Sequence, residues 1–474
     1  MARIGILSFS DGRAFVHKNL VAMLKGFEDR ILKRLRKAGH EVVTVRQVWT
    51  NTLAVSEAQK LAKAGCECTI FNYAVWCFPH FTALASRFAP GPLLAFGCIN
   101  PKFPGMVGLL AGVGGLNQLG TKYDRVFGEI EDEKVFAQVQ SFVAAAHAVH
   151  KLRGQTFGLI GGRPMGMYTA VANTDQWMQQ FGVDVEHIDQ WEIVRRSEQV
   201  DAKKTARARA WLERHVGKIE YDGKQLTPER LERQIRSTYA VKELIAEWKL
   251  DFSGIKAQPE LTNHWCTMDV TEAFLNDPYD WDGPHEPHVC ATEADMDAAL
   301  SMQIFKLLSE VKEGRATPVL FADVRHYFER EGVFDLVNSG AHATFFAKHS
   351  YAFQDNLPHV RFRPEGFYFP AGGASVMHLA EPGPATFARL TRRGGNYWMA
   401  ILRGEFVRFG PKKDWALVNA VQDNWPHAFA RLACPAEKFL QVYASNHIHA
   451  VYGDYVEELV KVCRLTGVEP VLLS

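Results

Sequence analysis

The sequence has no C-x-x-C pair, no excess of one charge and no apolar run long enough to cross a bilayer. Each absence removes a class of function. Zinc ribbons and redox dithiols need thiols at close, paired spacing. The eight cysteines (Cys66, Cys68, Cys77, Cys98, Cys266, Cys290, Cys434, Cys463) are scattered, and in a chain of this length they read as free, buried thiols of a reducing cytosol. Lysine and arginine number 54 against 53 aspartates and glutamates, a formal net charge of +1. That balance excludes a general nucleic-acid binder, whose affinity rests on clustered cations neutralising phosphates. The most apolar stretch, 91–116, is interrupted by prolines, glycines and Lys102, short of the roughly 20 residues a membrane helix needs. The first residues alternate like a strand and lack the apolar core of a secretory signal. A soluble, cytoplasmic protein with no membrane partner is expected. No G-x-x-x-x-G-K-[ST] occurs, and the glycine loop at 161–166 does not fit G-x-G-x-x-G.

What is present is a large core and a regular rhythm. Apolar residues make up 47% and aromatics 12% of 474 residues, enough for about three domains at ordinary domain size. Residues 1–153 alternate strand and helix, predicting a parallel sheet covered by helices. Residues 154–325 repeat the pattern, with strands predicted over 156–160, 183–188, 252–257 and 318–324 and a helix over 293–312. From 326 to 474 short β-like runs are set off by glycine and proline, predicting a mixed β domain of barrel-like form. The expected fold is α/β, two doubly wound domains followed by that C-terminal β-rich domain.

Candidate chemistry sits at element ends. Glu293 follows a short apolar run and opens a predicted helix, with Thr292 as a possible cap. Asp323 ends an apolar strand, where α/β sheets open onto ligand crevices. His447 and His449 stand two apart, facing one way if they lie on a strand. A site of Glu, Asp and His suits Mn²⁺ or Mg²⁺ with open positions rather than closed zinc. Each residue alone also has a structural reading: a helix-terminal charge, a strand-end cap, a histidine satisfied by backbone. Arg163, in the glycine loop, is either a pocket cation suited to an anionic substrate group or an exposed loop residue.

The run Tyr279-Asp-Trp-Asp-Gly-Pro-His-Glu-Pro-His-Val-Cys-Ala-Thr-Glu293-Ala-Asp295, followed by Phe321-Ala-Asp323-Val-Arg325, resembles the core signature of the L-fucose isomerase family. Asp11-Gly-Arg13, Trp76, Gly161-Gly162 with Met165-Gly166, Val337-Asn-Ser-Gly340 and Asn446-His447 before Tyr452-Gly-Asp454 match further pieces in the family's order. The resemblance implies an aldose–ketose isomerase acting on a free sugar of the L-fucose, D-arabinose or L-arabinose type. It implies Mn²⁺, with Mg²⁺ or Co²⁺ as alternatives, held by Glu293, Asp323 and His447. The two carboxylates are then the acid/base pair, since isomerisation moves a proton between adjacent carbons through an enediol. Trp76, Gln258, Arg13, Met165 and Asn446 are implied sugar contacts, Trp76 from a neighbouring subunit of a trimer or hexamer. His342, nineteen residues after Asp323, is either a fourth ligand or a structural residue. A non-catalytic sugar-binding protein, and a metal-dependent epimerase or aldolase on the same scaffold, are the competing readings.

Overall fold

A computed structural model describes residues 1–473. The chain divides into two units. The first comprises Met1–Arg153 with Leu307–Arg315 and Glu457–Val468; the second comprises Gly154–Lys306, Ala316–Val456 and Glu469 onward.

In the first unit, strands Arg3–Ser8, Glu41–Thr44, Cys68–Tyr73, Leu93–Gly97 and Asp124–Phe127 form one parallel sheet in the order 2-1-3-4-5. Right-handed crossovers send the first connection to one face and the next three to the other. Leu61, Phe81, Leu109 and Val113, from the second to fourth helices, accordingly share a core with Leu7, Phe71 and Ala95 of the strands. This is the doubly wound pattern expected of the alternating sequence.

The second unit holds two sheets that matter for chemistry. Four parallel strands lie in the order Cys290–Thr292, Phe252–Ile255, Thr156–Ile160, Asp184–Ile188. The other sheet has seven strands, beginning with Gly383–Arg393, His447–Tyr452, Leu320–Phe328, Val333–Val337, His427–Leu432 and Asn396–Phe406. The first and sixth of these also pair along their full length, so the six close into a ring, with Glu469–Leu472 added alongside the sixth. Closure leaves no free edge among the six. Its filling includes Phe334, Leu336, Phe387, Trp398 and Ile448.

Several sequence expectations are revised. Strand Leu320–Phe328 runs unbroken through position 325 and pairs with His447–Tyr452 and Val333–Val337 instead of closing the parallel sheet. Strand Gly383–Arg393 has no counterpart in the sequence reading; it pairs residue for residue with Asn396–Phe406 around Gly394-Gly395, both at positive φ, the geometry of a two-residue hairpin turn. The helix expected from 293 starts at Met296, and Asp295, not Thr292, accepts the Ala298 amide at its start.

Candidate active site

Strand pairing makes the first contact of the site. His447 begins strand His447–Tyr452 directly opposite Asp323 on Leu320–Phe328. His447 Nε2 lies 3.5 Å from Asp323 Oδ1 and 3.1 Å from Glu293 Oε2. Glu293 comes from a different sheet, at the tight turn between strand Cys290–Thr292 and helix Met296–Lys312. The turn has a strained backbone: Glu293 and Ala294 both lie in the left-handed region, at φ 60° and 47°. A side chain visits that region at a cost of order 1–3 kcal/mol, and such residues collect at functional sites. Ala294 is tied to Ile255 O at 2.9 Å. The turn sits so close to strand Phe252–Ile255 that a Cβ on Gly254 would meet Ala294 Cα at 2.8 Å.

His447 is held from behind. Its Nδ1 is 2.6 Å from Asp295 Oδ2, and Asp295 pairs with Arg389 at 2.9 Å, all three being essentially inaccessible to solvent. Burial alone would make His447 a weaker base; the hydrogen bond to Asp295 and the nearby Glu293 and Asp323 outweigh it and push its pKa up to about 10. Burial alone would raise Asp295, but Arg389 and His447 hold it well below the usual carboxylate range. Asp323 is raised by partial burial and by Glu293, against the pull of His447. Beneath Glu293, Glu272 is buried, bonded to the Thr292 hydroxyl at 2.8 Å, and pushed up to about 8 by burial.

Glu293 Oε2 and His447 Nε2 are both buried without a hydrogen-bond partner although they face each other. Two carboxylates and an unpartnered imidazole nitrogen form a donor set suited to a hard divalent cation. Among the described residues, however, no three His, Cys, Asp or Glu side chains are drawn together as a finished metal cage. The electrostatic fit is clearer: the carboxylates raise the proton affinity of His447, so they favour positive charge at Nε2.

A cavity of about 290 Å³ opens onto these groups, lined among others by Met165, Gln258, Asn263, Glu293, Asp323, Arg325 and Trp425. Met165, at φ 41°, and Ala257, at φ 53° beside Gln258, place two more strained residues at or next to its rim. Tyr368, Phe369 and Trp425 give one aromatic wall. Asn446 donates to Asp323 Oδ1 at 3.3 Å.

Other candidates lie apart from this cluster. Arg163 is exposed, its guanidinium 5.2 Å from the Tyr168 ring, and does not line the cavity. His342 is buried with neither ring nitrogen bonded and its ring 6.1 Å from that of His378. Arg13 and Trp76 belong to the first unit, whereas every lining residue belongs to the second. The Arg13 guanidinium donates two hydrogen bonds to Asp11, at 2.9 and 2.6 Å, and Trp76 is half-buried after strand Cys68–Tyr73. His449 shares the face of its strand with His447, but its Nε2 meets Arg389 at 3.2 Å. Sequence reading missed the supporting roles of Asp295 and Arg389 and the aromatic wall. The two-residue spacing of Glu293 and Asp295 was the available signal.

Comparison with known proteins gives three successive matches to one family: "L-fucose isomerase, first N-terminal domain" over 1–154, "second N-terminal domain" over 242–310 and "C-terminal domain" over 336–473. The chain belongs to the L-fucose isomerase family. Members are sugar ketol-isomerases, and this chain is an enzyme of that class. The L-fucose isomerase of Bacteroides thetaiotaomicron is 26% identical, over 85% of this chain and 80% of that one. That of Streptococcus pneumoniae strain 70585 is 25% identical over 97% and 91%. Among solved structures, a periplasmic solute binding protein from Actinobacillus succinogenes with bound D-allose aligns over 66% of this chain and 92% of that one at 11% identity, with a TM-score of 0.17, too low to carry an argument.

Two outcomes are expected. Asp295→Asn keeps a helix cap but loses the anionic anchor of His447, and turnover falls about 10- to 100-fold with circular dichroism unchanged. Gly254→Ala drives a methyl into the Glu293–Ala294 turn, costing about 1–3 kcal/mol, read as a lower unfolding midpoint together with reduced turnover.

Proposed function

We propose that this family member interconverts a free, uncharged aldose with its ketose, an L-fucose, D-arabinose or L-arabinose type sugar, using Glu293 and Asp323 as the proton carriers. The observation that carries this reading is the meeting of both carboxylates at His447 Nε2, 3.1 and 3.5 Å away, on the wall of a cavity. The cavity volume of about 290 Å³ accommodates one monosaccharide. Its aromatic wall suits the apolar C–H face of a sugar ring, and Gln258, Asn263 and Arg325 offer donors to hydroxyls.

Isomerisation removes the proton from C2 of the aldose and delivers one to C1, while a hydroxyl proton passes to the carbonyl oxygen. Two carboxylates on one wall can carry out both halves without the sugar leaving. Partial burial and mutual repulsion keep Asp323 a stronger proton acceptor than a free aspartate. Asn446, bonded to Asp323 Oδ1, fixes its orientation. Asp295 and Arg389 hold the His447 ring in one position. Mn²⁺, or Mg²⁺ or Co²⁺ in its place, would be held by Glu293, Asp323 and His447 and would supply charge stabilisation to the sugar oxygens. The protein is further proposed to work in the cytoplasm as a trimer or hexamer whose neighbouring copies contribute Trp76 to the sugar site.

Retention of both carboxylates with His447 disfavours a sugar-binding protein without chemistry, since binding needs no proton carriers. Purified protein with Mn²⁺ and a panel of neutral aldoses is expected to form ketose and to exchange C2 deuterium with solvent. Glu293→Gln and Asp323→Asn should each lower turnover at least 100-fold with the fold intact. Ketose formation at the wild-type rate by either variant would remove that residue from the mechanism, and sugar binding without exchange would favour the binding-only reading.

A further inference from the structure

The helical section between the family matches to 1–154 and 242–310 has no part in the chemistry above, yet it carries a row of basic side chains. On helix Ala202–His215, Lys204, Arg207, Trp211 and Arg214 recur at spacings of three and four, which puts them on one face. That face fronts two adjoining cavities of about 490 and 520 Å³, which share Lys204, Tyr239 and Asp282. The opposite wall comes from Tyr239 and Lys242 of helix Pro228–Trp248 and from Trp281.

Direct ion pairs do not reach all of these cations. Asp282 accepts from Tyr239 and Lys242. Glu243 is paired with Arg196 at 2.9 Å, and Asp201 accepts the Lys203 amide at the start of its own helix. Each carboxylate lining the cleft thus has a partner, with Lys242 also serving Asp280 and Arg196 also serving Glu192 and Glu247. Lys204 Nζ sits 3.8 Å from the Tyr239 ring centroid, and neither it nor Arg207 nor Arg214 forms an ion pair among the described residues. Trp281, on the same wall, packs its ring against that of Tyr239 at 6.0 Å between centroids. Three cations that form no ion pair and three aromatic rings thus converge on one concave surface in a chain whose net charge is only +1.

The geometry points to a second, non-catalytic binding site here for a phosphate monoester carried on a ring, a nucleotide or a sugar phosphate. Guanidinium groups match phosphate oxygens two at a time, and Trp211, Tyr239 and Trp281 supply apolar surface for the ring. A neutral aldose, the substrate class of the catalytic cavity, would leave the three cations unused.

The test is titration calorimetry of the full chain at low salt with AMP, glucose 6-phosphate and inorganic phosphate. At least one of the two ring-bearing esters is expected to bind saturably and more tightly than inorganic phosphate, and which one does so identifies the source. The double change Arg207→Ala with Arg214→Ala should weaken that ester at least tenfold while ketose formation without ligand stays at the wild-type rate. Trp211→Leu should weaken the ester but not inorganic phosphate. The proposal is overturned if neither ester binds saturably, if neither exceeds inorganic phosphate, if the arginine changes leave affinity untouched, or if free aldose displaces the ester.

Discussion

Asp295 is a carboxylate with essentially no access to water that is tied in three directions at once. It starts helix Met296–Lys312 by accepting the Ala298 amide, anchors His447 through Nδ1, and neutralises the fully buried Arg389. A buried ion is tolerable only with such partners, because its desolvation costs several kcal/mol. The consequence is positional. The residue two before it, Glu293, cannot continue a strand or begin the helix and is held at positive φ. Its carboxylate is thereby turned toward the imidazole that Asp295 holds. One residue thus braces both the Glu293 turn and the histidine it faces.

The ring of six strands supplies the rest. Pairing of Leu320–Phe328 with His447–Tyr452 sets Asp323 against His447 by register alone, and a shift of one residue would turn either side chain to the other face. Closure of the ring resists such a slip, since every strand is paired on both sides. Strain at Met165, Ala257, Glu293 and Ala294 surrounds the cavity, a cost that only a well-braced frame sustains.

The fold class was legible where periodicity was strong. Alternating strand and helix predicted both parallel sheets, and the glycine- and proline-punctuated end predicted a barrel-like close. Strand Gly383–Arg393 escaped because its burial alternates weakly: seven consecutive residues, Ala385–Thr391, are buried, so no two-residue rhythm marks it. Glu293 was placed one turn too early in a helix, since nothing in Ala-Thr-Glu-Ala-Asp announces two left-handed residues in succession. Asp295 was visible as a letter of a motif, but its partner Arg389 lies 94 positions away on another element, beyond any local pattern. The aromatic wall of Tyr368, Phe369 and Trp425 was hidden for the same reason.

The central claim is that Glu293, Asp323 and His447 act on one point in space. Anomalous diffraction from crystals grown with Mn²⁺ and a reduced, unreactive sugar alcohol tests it most directly. A single manganese peak within bonding distance of all three side chains, with the sugar alcohol beside it, is the predicted result. A peak elsewhere, for example between His342 and His378, with Glu293 and Asp323 free, would contradict it.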